Sequence, residues 1–269
     1  MPLYHALLLG LVEGFTELLP VSSTGHLILL DELLGNRGEA AKTLNIVIQL
    51  GAVLAIALYF RGRLMEHARG LINKRPESLQ LALALTIAFL PSAVVGLALH
   101  AWIKARLFGP LPVAVALGVG GLLMLVVERW QRKHPGQAGI ERVTWRRALV
   151  IGLCQCASLC PGASRSMTTI LGGQLCRLDT RTAAEFSFLL ALPTLGAATL
   201  YELMKGGRAV LAMEGGAAAL AVGTLVSFGA TWLVISMFLR YVARVGLVPF
   251  AAYRLVLAVA VLALNGHAG

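Results

Sequence analysis

The chain has 269 residues, of which 58% are hydrophobic and 13% charged, and its formal charge is +10. Soluble domains run at about 45–50% apolar and about 25% charged residues, and a soluble fold of this size still leaves roughly a quarter of its unfolded surface in water. Apolar stretches that recur along the whole length therefore exclude an ordinary soluble domain. The basic residues lie in short loops between those stretches, a membrane pattern that excludes nucleic acid as the partner.

The first segment, 3–34, is apolar but interrupted by the run EGFTELLPVSSTGH. No cleavable signal is expected, because MPLYHALLLGLVEGFTE lacks a basic leading region and meets acidic residues at once. Apolar spans near the roughly 20 residues that a bilayer requires are predicted at 44–60, 79–103 and 112–128. Segment 148–175 is interrupted in its turn by PGASRS, and further spans are predicted at 182–204, 216–238 and 246–264. Pro, Gly and clustered hydroxyl and charged residues do not suit a lipid-facing helix, and irregular backbone at membrane depth needs protein or water around it. Segments 3–34 and 148–175 are accordingly read as re-entrant helical hairpins. The expected fold class is all-α, a polytopic membrane helix bundle.

The two interrupted segments resemble each other. GLVEGFTELLPVSST (Gly10 to Thr24) lines up with GLCQCASLCPGASRS (Gly152 to Ser166), and the spans that follow carry Asn45 and Glu185 near their heads. An internal duplication of this kind predicts one membrane domain over 1–269, with repeat 1 about 1–128 and repeat 2 about 148–264, in inverted topology. Charge agrees with that arrangement: loops 61–78, 129–147, 176–181 and 239–245 hold fifteen Lys and Arg. Segments 35–43, 104–111 and 205–215 hold six. By the positive-inside rule the first group is cytoplasmic and both termini are outside. Cys154, Cys156, Cys160 and Cys176 form no CxxC pair and have no nearby His, so they read as small packing residues. Gly118, Gly120 and Gly121 allow close helix contact, within one protomer or in a homodimer.

Glu13 and Glu17, four residues apart, share one helix face. Two carboxylates in apolar surroundings need a cation or a proton. A divalent cation such as Mg²⁺ or Ca²⁺ shared with a substrate phosphate meets that need; so does a raised carboxyl pKa suited to acid–base work. After Pro20, the residues Ser22, Ser23, Thr24, Gly25 and His26 open a second half-helix whose N–H groups and dipole suit an anion. Ser23 and His26 can share its first turn as nucleophile and base. In the second hairpin Arg165 is flanked by Ser164 and Ser166, with Thr168 and Thr169 behind. An arginine fork suits phosphate bidentately; an internal glutamate (Glu13, Glu17 or Glu185) is its alternative partner.

EGFTELLPVSSTGHL (Glu13 to Leu27) and PGASRS (Pro161 to Ser166) resemble the two signatures of the bacterial undecaprenyl-diphosphate phosphatase family. The likeness continues through FSFLLALP (Phe186 to Pro193) and VPFAAYR (Val248 to Arg254). It implies hydrolysis of a polyprenyl diphosphate lipid, undecaprenyl diphosphate, to undecaprenyl phosphate, which recycles the cell-wall lipid carrier and is associated with bacitracin resistance. It also implies an inverted repeat in the bacterial cytoplasmic (inner) membrane, with the active site facing the periplasm. By motif position, Glu13 and Glu17 are the acidic pair, Ser23 and His26 the nucleophile and its partner, and Arg165 the phosphate-binding residue. Ser22, Thr24, Ser164, Ser166 and Thr169 support the phosphates. Met167 departs from the pattern, standing where the family usually has Gly.

Two rival readings differ in class. A lipid flippase or secondary transporter also uses inverted repeats and broken helices. The acid-phosphatase-like lipid phosphatases share Ser-Gly-His and Ser-Arg patterns but want a His shortly after the arginine, and SMTTILGG supplies none.

Overall fold

The computed structural model describes residues 2–36, 38–107 and 109–266. Among them there is no β-strand, only an isolated bridge between Gln137 and Leu178. Helices α1 (Leu3–Thr16) and α2 (Ser23–Leu34) form the first hairpin; α3 (Glu39–Val47) and α4 (Gln49–Tyr59) follow. A short α5 (Arg61–Ile72) leads to the long α6 (Pro76–Arg106) and α7 (Pro110–Lys133). The second hairpin is α8 (Trp145–Cys156) and α9 (Arg165–Leu175), followed by α10 (Thr180–Ala212), α11 (Gly216–Val245) and α12 (Val248–Gly266). The same order thus occurs twice: a hairpin of short helices, then three long helical stretches.

Local chemistry sets these boundaries. Pro76 and Pro110 open α6 and α7, where a missing N–H costs nothing. Ser164 caps α9 by accepting the Met167 N–H at 3.3 Å. Gly246, at φ +70°, makes the left-handed turn between α11 and α12. Five stretches are long and apolar enough to cross a membrane: Glu39–Tyr59, Pro76–Leu99, Pro110–Lys133, Thr180–Ala212 and Gly216–Val245. The sixth expected span is helical as α12, but its apolar part, Val248–Ala263, is shorter than the other five and is interrupted by Arg254. Outward side chains such as Leu122, Val126, Leu225, Val256 and Val259 are more than half exposed. Apolar faces of that extent do not persist in water. The protein is an all-α, multi-pass membrane helix bundle.

The chain divides into two compact units, Met1–Leu18, Ser23–Arg61 and Ala191–Met237 in the first, and Leu19–Ser22, Gly62–Leu190 and Phe238–Gly269 in the second. In the first unit, Ala6, Leu9, Leu27, Leu44, Ile48, Val210 and Ala219 form a buried core. There α1 lies against α11 through small residues. A Cβ on Gly10 would stand 2.5 Å from the carbonyl oxygen of Gly223, and one on Gly14 would stand 2.5 Å from that of Ser227. Thr231 completes the row by donating to the Gly14 carbonyl at 3.2 Å. In the second unit α8 lies against α6 in the same manner, Gly152 facing the Ala88 carbonyl where a Cβ would stand 2.6 Å away. Each hairpin's first helix is therefore seated on the second long helix after the other hairpin.

Within the segment 61–78, expected as a loop, Arg61–Ile72 is helical as α5. Arg63 reaches Glu185 at 3.0 Å and His67 contacts Ser78 at 3.2 Å on the side facing the protein, whereas Met65 and Ile72 are exposed.

Because the Gly14 site has no room, Gly14→Ala should destabilise the protein by about 1–3 kcal/mol, the usual range for overpacking. Gly229→Ala, whose Cβ meets nothing within 4 Å, should leave stability unchanged. Unfolding of the two variants in detergent checks this, and equal behaviour would refute tight α1–α11 packing.

Candidate functional site

In the first unit, Glu13 and Glu17 stand at the end of α1, Glu13 with no exposed surface and Glu17 nearly so. Glu13 falls within the helix and Glu17 is its C-cap, its N–H bonded to the Glu13 carbonyl at 2.9 Å. Ser23, the first residue of α2, donates its Oγ proton to Glu17 Oε2 at 2.6 Å in buried surroundings. His26 is one turn further along α2, partly exposed, and Thr24 is partly exposed beside it. The expected set in this unit is thus placed at one end of the hairpin, and the contact the structure makes for the Ser23 hydroxyl is Glu17.

At the hairpin's other end Asp31 accepts from Asn36 Nδ2 at 3.0 Å and from Asn45 Nδ2, and His5 Nδ1 meets Asn36 Oδ1 at 2.7 Å. This explains Asn45: it ties the last turn of α3 to α2. Glu185, its counterpart in the other repeat, holds Arg63 at 3.0 Å and Arg181 at 3.3 Å.

In the second unit, Arg165 begins α9, and its Nη1 donates to the carbonyl and the hydroxyl of Ser187 at 2.9 and 3.3 Å. Ser187, in α10, is fully buried and also meets Thr169 Oγ1 at 2.7 Å. Thr169 in turn donates to the Arg165 carbonyl at 2.8 Å, so two side chains hold the arginine's main chain and one of its guanidinium nitrogens. Ser166 Oγ lies 3.0 Å from Ser164 Oγ and donates to the Leu19 carbonyl at 2.8 Å. Leu19–Ser22, the tip of the first hairpin, belongs to this second unit, so that bond joins the two tips. Met167 is buried, with its backbone N–H on Ser164; its terminal methyl is among the atoms a Cβ on Gly120 would meet. Its side chain is packed into the protein beside α7.

The tips share a backbone feature. Ser22 and Ser164 have φ of +72° and +73°, a left-handed conformation in a residue that is not glycine, and each immediately precedes the second helix of its hairpin. Such residues cost of order 1–3 kcal/mol and persist only where their surroundings hold them. Here they turn the chain so that α2 and α9 begin at once, presenting their first N–H groups and positive dipole ends, the elements of an anion site.

Sequence reasoning did not single out Ser187, which is one hydroxyl in FSFLLALP and carries no spacing signal. Arg254 stood out only as a charge inside a span. It is fully buried and donates to four backbone carbonyls: Pro20 at 3.3 Å, Gly162 at 2.9 Å, Ala116 at 3.0 Å and Leu117 at 3.3 Å. Among the described residues no group of three or more His, Cys, Asp or Glu is placed to hold a metal ion.

Comparison with known proteins matches residues 6–260 to the model of the family "Bacitracin resistance protein BacA". An undecaprenyl-diphosphatase of Sorangium cellulosum (strain So ce56) is 62% identical over 261 residues, 96% of this chain and 85% of that protein. Those of Aromatoleum aromaticum and of a Thermoanaerobacter species are 44% and 43% identical, over 98% and 96% of this chain and 95% and 94% of theirs. With the match running through both hairpins and every helix from α1 to α12, the chain belongs to the bacitracin resistance protein BacA family.

Proposed function

We propose that the protein is an integral membrane phosphatase that hydrolyses undecaprenyl diphosphate to undecaprenyl phosphate and inorganic phosphate, recycling the lipid carrier of cell-wall synthesis. The observation that carries the reading is the buried Ser23–Glu17 hydrogen bond of 2.6 Å: a hydroxyl at a helix start, already bonded to a carboxylate that can accept its proton. The site opens to the periplasmic side of the bacterial inner membrane, and the two hairpins are re-entrant elements of an inverted repeat. The fifteen-to-six distribution of Lys and Arg and the doubled order of helices support that topology.

In the mechanism, Arg165 clamps the phosphate oxygens, with Ser187 holding its guanidinium and Thr169 its main-chain carbonyl. The N–H groups that open α2 and α9 stabilise the charge that builds up on those oxygens. Ser164 and Ser166 act through the loop they brace; Ser22 and Thr24 shape the start of α2. Ser23 Oγ attacks the terminal phosphorus as its proton passes to Glu17. The bond from that phosphorus to the bridging oxygen breaks, and undecaprenyl phosphate leaves with the bond's electron pair. Water then attacks the phosphoserine, its proton taken by His26, and the serine oxygen recovers a proton from Glu17 as phosphate departs. Glu13 and Glu17, buried carboxylates one helical turn apart, would hold a hard divalent cation, Mg²⁺ or Ca²⁺, which would neutralise phosphate charge. In this reading the oxygens that two side chains cannot supply come from water and substrate.

Phosphate release from undecaprenyl diphosphate in detergent tests the reading directly, because transport requires two compartments and hydrolysis does not. Ser23→Ala should lower turnover by at least about a hundredfold, as should Arg165→Lys, which keeps charge but loses the fork. Near-normal turnover in Ser23→Ala would take the nucleophile's role from it, and unchanged kinetics in Arg165→Lys would end the clamp assignment. A chelator should suppress activity in the wild type, and added Mg²⁺ or Ca²⁺ should restore it. Full activity with chelator present would remove the metal from the scheme.

A further inference from the structure

Arg254 is the largest fully buried side chain described, and its charge meets no carboxylate among the described residues. Four main-chain oxygens take its place, two in the middle of α7 and one in each hairpin tip. Carbonyls within a helix already accept a bond, and a buried guanidinium is expensive to maintain without an anion. An arrangement of this kind persists when the arginine does something an apolar residue of similar volume would not.

We propose that Arg254 is a positioning residue of the phosphatase site, setting both hairpin tips from a single guanidinium; the inference rests on the function proposed above. A trans peptide is planar, so fixing its oxygen fixes its N–H. The peptide whose carbonyl belongs to Pro20 carries the Val21 N–H, which closes a turn onto the Leu19 carbonyl at 2.8 Å. The peptide whose carbonyl belongs to Gly162 carries the Ala163 N–H, which closes a turn onto the Cys160 carbonyl at 3.0 Å. Each tip peptide is thereby held at both ends, by Arg254 on one side and by its own turn on the other. The Leu19 carbonyl also receives Ser166 Oγ, so the network passes from one tip to the other. The next residues in each chain are the strained Ser22 and Ser164, and after them Ser23 and Arg165, the proposed nucleophile and clamp.

The surroundings are cut to fit the guanidinium. Gly120 in α7 faces it, and a Cβ there would collide with Nη2 and come within 2.9 Å of Met167 Cε. Gly162 takes φ +93° and lies so close to α7 that a Cβ would stand 2.6 Å from the Val113 carbonyl. Gly120 thus permits Arg254 to reach the tips, and α7 is the fixed rail on which the clamp is mounted.

The test is steady-state hydrolysis of undecaprenyl diphosphate by purified Arg254→Lys, Arg254→Met and Gly120→Ala, each checked for monodispersity. Gly120→Ala displaces the guanidinium without removing it. Misplacement of reacting groups by about 1 Å can reduce rate by about a hundredfold. Arg254→Met and Gly120→Ala should therefore lose about a hundredfold in kcat with KM within about threefold of wild type, and Arg254→Lys should fall between. Monodisperse variants with wild-type kcat, or with raised KM and unchanged kcat, would overturn the positioning role. So would failure of all three variants to give folded protein, which would make Arg254 a folding clamp alone. A wild-type protein that releases no phosphate would instead sink the reaction proposed above, a result separable from these.

Discussion

Irregular backbone inside an apolar bundle must have its polar groups satisfied by the protein itself, and the rest of this structure follows from that constraint. Each hairpin breaks between two short helices, leaving helix ends and a tight loop among buried groups. The protein meets the need with side chains whose own polarity is thereby consumed: Ser164 on the Met167 N–H, Ser166 on Leu19, Arg254 on Pro20 and Gly162. An unmade buried bond costs more than a made one contributes, so the loops have little freedom to reorganise. A rigid pair of tips is also what phosphoryl transfer requires, because its catalysis is mostly positioning and fixed charge.

Small residues allow the short helices to sit deep. Without a hydrophobic drive between helices in lipid, close approach and van der Waals contact hold them together. Gly10 and Gly14 bring α1 to the backbone of α11, and Gly152 brings α8 to that of α6. The exchange of partners between the two halves of the sequence follows from the doubled order of elements: each hairpin needs a long helix to lie on, and takes the one supplied by the other half. Gly10 and Gly152 hold the same place in the GLVEGFTELLPVSST and GLCQCASLCPGASRS alignment, as do Ser22 and Ser164 with their matching φ angles. The two segments share backbone needs more than side-chain chemistry, which is why their sequence likeness is faint.

Much was legible before the fold was seen. Both interrupted segments form hairpins, with Pro20 and Pro161 at their tips, because an apolar run broken by Pro, Gly and hydroxyls has few physical realisations in a membrane. The i, i+4 spacing of Glu13 and Glu17 and the start of α2 at Ser23 were equally readable, since helix periodicity and turn chemistry are local. What escaped was every partner identified by main chain or by distance in sequence. Arg254 finds carbonyls, and a carbonyl is the same in every residue, so no pattern announced Pro20, Gly162, Ala116 and Leu117. Ser187 lies 22 residues from Arg165 on another helix. Helix α5 was missed because its apolar residues are few and its basic ones many, leaving a stretch that reads as a basic loop.

Charge placement gives the two hairpins different chemistry despite their common shape. The alignment puts Gln155 where the first repeat has Glu13, and Leu159 where it has Glu17. Gln155 is buried and donates to Ser92 Oγ at 2.6 Å, a neutral structural contact between α8 and α6. A second pair of carboxylates there would need its own cation and would oppose the anion that Arg165 suits. Conversely, Arg165 falls opposite Ser23 in the alignment. The first hairpin therefore carries acid and hydroxyl, the second neutral amide and guanidinium. The two hairpins thus differ in charge where their backbones agree: Glu13, Glu17 and Ser23 stand in one, and Arg165 stands in the other, behind a serine of matching φ.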